Sequence, residues 1–143
     1  MTAVSPALSL RFMVLMAGLE GMYFTACEGL GASYEVETYA EGGNASHTHQ
    51  LPVRINYTNV KLTRPVDLDS GRVAAWFTSV QYRLVRVGGA IKVFNGNGAP
   101  IATWTLVGVW PVRYSGPQLR ADASGVATET LELSHMGFSV TPG

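Results

Sequence analysis

Between residues 34 and 66 apolar and polar side chains alternate with a period of two. On the first arm Tyr34, Val36 and Thr38 fall on one side, and Glu35, Glu37 and Tyr39 on the other. After a polar, glycine-bearing tip, Leu51, Val53, Ile55 and Tyr57 alternate with Gln50, Arg54 and Asn56. This pattern predicts two strands of a hairpin with one buried and one wet face. Two strands are not stable alone in water, so other strands or a helix must pack against them.

The flanking chain supplies them. Residues 1–9 hold Pro6 and small side chains and read as an N-terminal arm, leaving 10–143 as a single domain. Residues 10–17 and 22–27 predict two strands joined by a tight turn at 18–21. Val60, Leu62 and Arg64 alternate with Lys61 and Thr63 in a strand that Pro65 ends. Residues 67–80 give the one helical pattern, its body near 68–80. Asp67, Asp69 and Ser70 offer capping oxygens, and Val73, Trp76, Phe77 and Val80 share one face. That stripe is read as core. Asn95-Gly96-Asn97-Gly98 is a hairpin signal between residues 84–95 and 100–108. Gly88-Gly89 marks a bulge, and Thr103 and Thr105 alternate with Trp104 and Leu106. A proline-interrupted strand follows over 110–119, and a last one over 126–135 carries Leu131 and Leu133 inward. The fold expected is mostly β, a small two-sheet barrel or sandwich with one flanking helix.

Composition narrows the function. Ten basic and ten acidic residues cancel, and only 14 % of the chain is charged. Nothing electrostatic points to nucleic acid, which requires clustered Lys and Arg. The single cysteine, Cys27, allows no internal disulfide. The apolar run over 12–19 meets Glu20 after eight residues, too short for a membrane span, and no signal-peptide cleavage pattern follows it. His47 and His49 would share a strand face but lack a third ligand, and His135 has no nucleophile partner. Glu35 and Glu37 share a wet face without a pocket to desolvate them. Neither Gly-Gly pair fits a phosphate loop. The residues call for no catalytic centre, no metal and no cofactor.

Several stretches taken in order carry a resemblance. They are EGGN at 41–44, HQLP at 49–52, NVKLTR at 59–64, a helix bearing Trp76, WPVRYSGPQL at 110–119 and ETLELSHMGF at 129–138. Together they resemble the tail-tube family of contractile phages, phage-tail-like particles and extracellular contractile injection systems. Pro65 departs from the glycine many relatives carry there. The resemblance implies hexameric rings that stack into a tube inside a contractile sheath. Its partners would be further copies of the chain, the sheath protein, the baseplate or hub, tube-terminating proteins and a cargo in the lumen. It makes Glu35, Glu37, Gln50, Arg54, Asn56, Thr103 and Thr105 the lumen candidates. The loop of Glu41, Gly42, Gly43, Asn44, Ser46 and His47 would reach a neighbouring subunit or ring. Val73, Trp76, Phe77, Trp104, Leu131 and Leu133 would form core. Assembly would occur in the bacterial cytoplasm without a signal peptide or membrane anchor. Within the family a tube-initiating baseplate ring is the alternative; outside it, a soluble barrel binding a small ligand.

Overall fold

The computed structural model describes residues 10–40, 48–82, 86–122 and 125–143, and of residues 39, 40, 48 and 49 the backbone alone. In chain order the strands are β1 (Arg11–Met16), β2 (Met22–Phe24), β3 (Ala26–Glu28), β4 (Ala32–Ala40), β5 (Thr48–Tyr57) and β6 (Val60–Pro65). Helix α1 (Ser70–Ser79) follows, then β7 (Val87–Phe94), β8 (Pro100–Ser115), β9 (Thr128–Ser134) and β10 (Gly137–Pro142). The expected mostly-β, two-sheet architecture with one helix is present. An eight-stranded sheet runs β2-β1-β7-β8-β9-β6-β3 with β10 also on β8, and β4 and β5 form a separate two-stranded sheet.

The large sheet curls because β8 belongs to both of its halves. The first part of this 16-residue strand pairs with β7 and β10, and its last part pairs with β9. The chain bends at Gly108, where φ is +60° and a Cβ would lie 2.7 Å from the Met136 sulfur. Two separate strands were expected here, over 100–108 and 110–119; they are one strand broken only in direction. Pro111 is accommodated by a register slip between Pro111 and Arg113, a bulge where a missing N–H does no harm. The curl does not close through a ladder. Its two outer strands, β2 and β3, are instead consecutive chain with only Thr25 between them, and the Thr25 N–H donates to the Thr63 carbonyl at 2.9 Å.

Val14, Met16, Met22 and Phe24 face Val60, Leu62, Ile91, Leu106, Leu131 and Leu133 in the interior. Helix α1 lies against it through buried Val73, with Trp76 and Phe77 half-buried. The Trp76 indole donates to the Ala17 carbonyl at 2.9 Å, and Gly18 (φ +93°) leaves room for the ring. The helix starts at Ser70, with Asp69 at its N-cap making no side-chain cap bond. It begins later than the sequence pattern suggested because Asp67 is engaged elsewhere: its carboxylate accepts from the Asp69 N–H at 2.8 Å and from Arg64. The strand β10 was not anticipated, the last expected strand ending at residue 135. Its Phe138 and Val140 alternate with Ser139 and Thr141 in the same period-two pattern.

Gly29 marks the point where the large sheet hands over to the small one. Its φ is +91°, and a Cβ there would stand 1.9 Å from the Asn59 carbonyl oxygen, a backbone atom that cannot rotate away. Gly29→Ala is therefore expected to cost about 3 kcal/mol or more by urea denaturation, combining left-handed strain with displaced backbone. Gly21→Ala, with φ +75° but nothing within 4 Å, should lose only about 1 kcal/mol.

Candidate assembly surface

The β4–β5 sheet stands outside the core. Its register pairs Tyr34 with Ile55 and Glu35 with Arg54, then slips, so that Val36 faces Pro52, Glu37 faces Leu51 and Thr38 faces Gln50. Val53 is the extra residue of the bulge. Because directly opposed residues share a face, one face carries Tyr34, Val36, Thr38, Ile55, Pro52 and Gln50. The other carries Ser33, Glu35, Glu37, Arg54, Asn56 and Leu51. Gln50, expected beside Glu35 and Arg54, lies on the opposite face, and Leu51 lies on theirs. An inserted residue inverts the parity of everything beyond it, which alternation within one strand cannot reveal.

Neither face is covered within the protomer. Tyr34 is 64 % exposed, Val36 52 %, Val53 59 % and Ile55 38 %. The buried face expected of this hairpin is thus apolar but still in solvent. Glu35 and Arg54 approach to 3.9 Å with both side chains largely exposed, an ion pair of little stabilising value.

The root of the hairpin is held firmly. The Thr58 N–H donates to the Gly31 carbonyl at 3.2 Å, and its hydroxyl lies 2.6 Å from the Gly29 carbonyl. Tyr57 packs its ring at 5.4 Å from both His135 and Phe138. The apolar face of the hairpin thereby meets the inner face of β10, where Phe138 and Val140 oppose Leu106 and Trp104. The outer face of the same strands carries hydroxyls, with Thr105 opposing Ser139 and Thr103 opposing Thr141, and next to them the exposed Val107 opposing Gly137. Ser139 and Thr141 are residues the sequence reading missed together with β10. Thr105 is exposed and Thr103 half-buried. Lys92 of β7 pairs with Thr103 and adds a cation to this side.

Of the expected core residues, Val73, Leu131 and Leu133 are buried, and Trp76, Phe77 and Trp104 are half-buried against them. Glu41, Gly42, Gly43, Asn44, Ser46 and His47 lie outside the described residues. Among the described residues no three His, Cys, Asp or Glu side chains gather to hold a metal. Two clefts of about 590 Å³ are present. One lies between the helix and the sheet, lined by Trp76, Val80, Val87 and Val109, and the other lies beside Arg64 and Asp67. No described helix is long and apolar enough to cross a membrane.

The strongest electrostatics lie far from any reactive arrangement. Arg64 is 4 % exposed and Glu129 1 %, opposed on β6 and β9 with their charged atoms 3.1 Å apart. Arg64 also binds both Asp67 oxygens at 2.8 Å, and the Tyr114 hydroxyl donates to Glu129 at 3.3 Å. Burial works against the Arg64 charge, but the bonds to Asp67 and Glu129 outweigh it and hold its pKa above the ordinary value. The Arg64 hydrogen bond, then the Asp69 N–H, hold the Asp67 carboxyl below the usual range. Burial, then the Glu129 charge, raises the Tyr114 phenol. Burial, helped by the Glu28 charge, pushes the Cys27 thiol up to about 11, so it is not a nucleophile at neutral pH. Arg64, Asp67, Glu129 and Tyr114 together fasten the helix entrance to the sheet.

A family model described as T4-like virus tail tube protein gp19 matches residues 8–139. No curated protein matches in sequence. A chain of the anti-feeding prophage (AFP) baseplate superposes with a TM-score of 0.78 at 24 % identity, over 99 % of this chain and 98 % of that one. A chain of the PVC sheath–tube complex, an extracellular contractile injection system in the extended state, gives 0.81 at 21 %, over 96 % and 91 %. Hcp1 from Flavobacterium johnsoniae gives 0.53 at 14 %, over 95 % and 97 %.

Removing one member of a buried ion pair strands the other. Glu129→Gln should therefore lose about 3–5 kcal/mol of unfolding free energy in urea, whereas Arg54→Gln on the exposed hairpin should change it by less than about 1 kcal/mol. The Asp67 contribution runs with its depressed pKa: it is complete above the ordinary carboxylate range and fades as pH falls through the folded-state value. Asp67→Asn should accordingly flatten the acid limb of the stability–pH curve measured by thermal melts.

Proposed function

Because the chain belongs to the T4-like virus tail tube protein family, we propose that it is the repeating inner-tube subunit of a phage tail or tail-like contractile particle. Six copies close into a ring and the rings stack. The observation that carries this reading is the β4–β5 sheet, which leaves Tyr34, Val36 and Ile55 in water and bonds to no third strand among the described residues. Such a sheet gains its missing partners from a neighbouring copy, which covers the apolar face and satisfies the free edges. Cyclic repetition of one heterologous contact then closes the ring.

The apolar face of the hairpin joins the inner side of β10 at Tyr57 and Phe138. Glu35, Glu37, Arg54 and Asn56 are accordingly assigned to the bore, together with Thr103, Thr105, Ser139 and Thr141. Gln50 leaves that set for the subunit contact. Two carboxylates, Glu35 and Glu37, stand against Arg54 and Lys92 on this side, and Arg11 of β1 shares the face of Lys92. A near-neutral, hydroxyl-rich wall gives a passing polymer no strong grip, so cargo slides. The loop of Glu41, Gly42, Gly43, Asn44, Ser46 and His47 is assigned to contact with the adjacent ring. The role is mechanical, with no enzymatic activity and no cofactor. Its partners are the sheath, baseplate and terminating proteins, in keeping with relatives from sheath–tube and baseplate complexes. The particle assembles in the cytoplasm. The tube-initiating ring is the second reading, favoured by the likeness to a baseplate chain.

The purified chain should form rings or tubes by size-exclusion chromatography and negative-stain microscopy. Ile55→Asp should melt within a few degrees of wild type, since it is exposed, yet remain monomeric. Deleting residues 42–46 should leave rings that no longer stack. A wild-type chain that stays monomeric at every concentration, or an Ile55→Asp variant that assembles normally, overturns the assignment.

A further inference from the structure

Away from the hairpin, one face of the large sheet carries charge in a regular order. In β6 and β9, Val60, Leu62, Leu131 and Leu133 turn into the core, so the residues between them point outward. There Glu28 of β3 opposes Lys61, Lys61 opposes Glu132, and Glu132 opposes Arg113 of β8. The sign alternates across four strands. The next row on the same face holds small side chains, Ala26, Thr63, Thr130 and Ser115. Glu28, Lys61 and Arg113 are exposed and Glu132 is half-buried.

Two clefts open along the charged row. One, of about 160 Å³, is lined by Lys61, Arg113, Ser115, Thr130 and Glu132. The other, of about 240 Å³, is lined by Glu28, Gly29, Asn59, Lys61 and Glu132. No residue of helix α1 lines either cleft, so the helix leaves this face open. The first cleft sets two cations against one carboxylate, and the second sets two carboxylates against one cation. The Asn59 amide donates to Glu132 Oε2 at 3.0 Å, which ties that carboxylate to the wall of the second cleft. Among the described residues, none of the four charges forms an ion pair with another. The first cleft is therefore suited to a carboxylate, with an ammonium, a guanidinium and two hydroxyls as donors. The second is suited to a Lys or Arg head group.

The two halves of the large sheet pack across one core, so their outer faces look in opposite directions. The preceding reading turns the outer face of β7, β10 and the start of β8 to the bore, and gives the apolar hairpin face to the subunit contact. The charged face then looks away from the bore, where a tube meets the sheath around it. We propose that this face is the docking surface for the sheath protein, which sets a carboxylate between Lys61 and Arg113 and a cation between Glu28 and Glu132. Its place in the particle rests on the reading of the chain as a tube subunit. Exposed ion pairs hold weakly one at a time. A tube repeats the site around each ring and along its length, and repetition turns weak contacts into a stable coat. A coat held in this way stays on while its spacing matches that of the tube and comes away once the spacing changes.

Co-sedimentation of tubes formed by the full chain with the unassembled sheath protein of the same particle tests the surface, with negative-stain microscopy of the pellet. Wild-type tubes should be coated, and less so as salt rises from about 0.05 to about 0.5 M, since exposed charges are screened. The double variant Lys61→Glu with Arg113→Glu should melt within a few degrees of wild type and still form tubes, but bind sheath protein about tenfold or more weakly, because the loss repeats at every site. Lys61→Arg with Arg113→Lys keeps both charges and should keep the coat. Reversed-charge tubes that are coated like wild type overturn the docking surface and leave the tube reading standing. So do wild-type tubes that take up no sheath protein. A reversed-charge variant that folds but forms no tubes moves the face to the subunit contact and also overturns it. A wild-type chain that forms no tubes at all removes the tube reading, and the docking surface with it.

Discussion

Two strands enclose no volume between them, and this constraint governs the molecule. The other strands run into the eight-stranded sheet, where ladder bonds and apolar burial reinforce each other; β4 and β5 are paired only with one another. Their hydrogen bonds fix local geometry but exclude no water, and the net gain from each such bond is small, about 1 kcal/mol. The hairpin therefore depends on its two ends: a root clamped by Thr58 and Tyr57, and an apolar face that only a second surface can cover. A monomeric protein exposing Tyr34, Val36, Val53 and Ile55 together would invite aggregation. In the tube proposed above, the same patch is where copies join.

The rest of the chain makes a frame stiff enough to present that hairpin. Strand β8 crosses both halves of the large sheet, so the surface carrying Thr103 and Thr105 and the surface carrying Tyr114 are one piece of covalent chain. Trp76 clasps the helix at one end through the Ala17 carbonyl, while Arg64 draws Asp67, Ser70 and Glu129 together at the other. A buried ion pair of this kind contributes less to stability than to uniqueness, because its desolvation offsets much of its attraction. Here it ties the end of β6 to β9 and to the start of the helix.

Much of this was legible in the chain. The alternation of Val60, Leu62 and Arg64 with Lys61 and Thr63 marked β6, and the Val73–Trp76–Phe77 stripe identified the packed face of the helix. Three features escaped for physical reasons. The bulge at Val53 adds one residue to β5 and leaves no mark on composition, so Gln50 and Leu51 were assigned to exchanged faces. Gly108 reads as an end of strand, yet a glycine with positive φ can turn a strand without ending it. Strand β10, beyond the last expected strand, was passed over, although Phe138 and Val140 carried the alternation that could have shown it. Backbone position, not side-chain chemistry, is what local pattern reads least well.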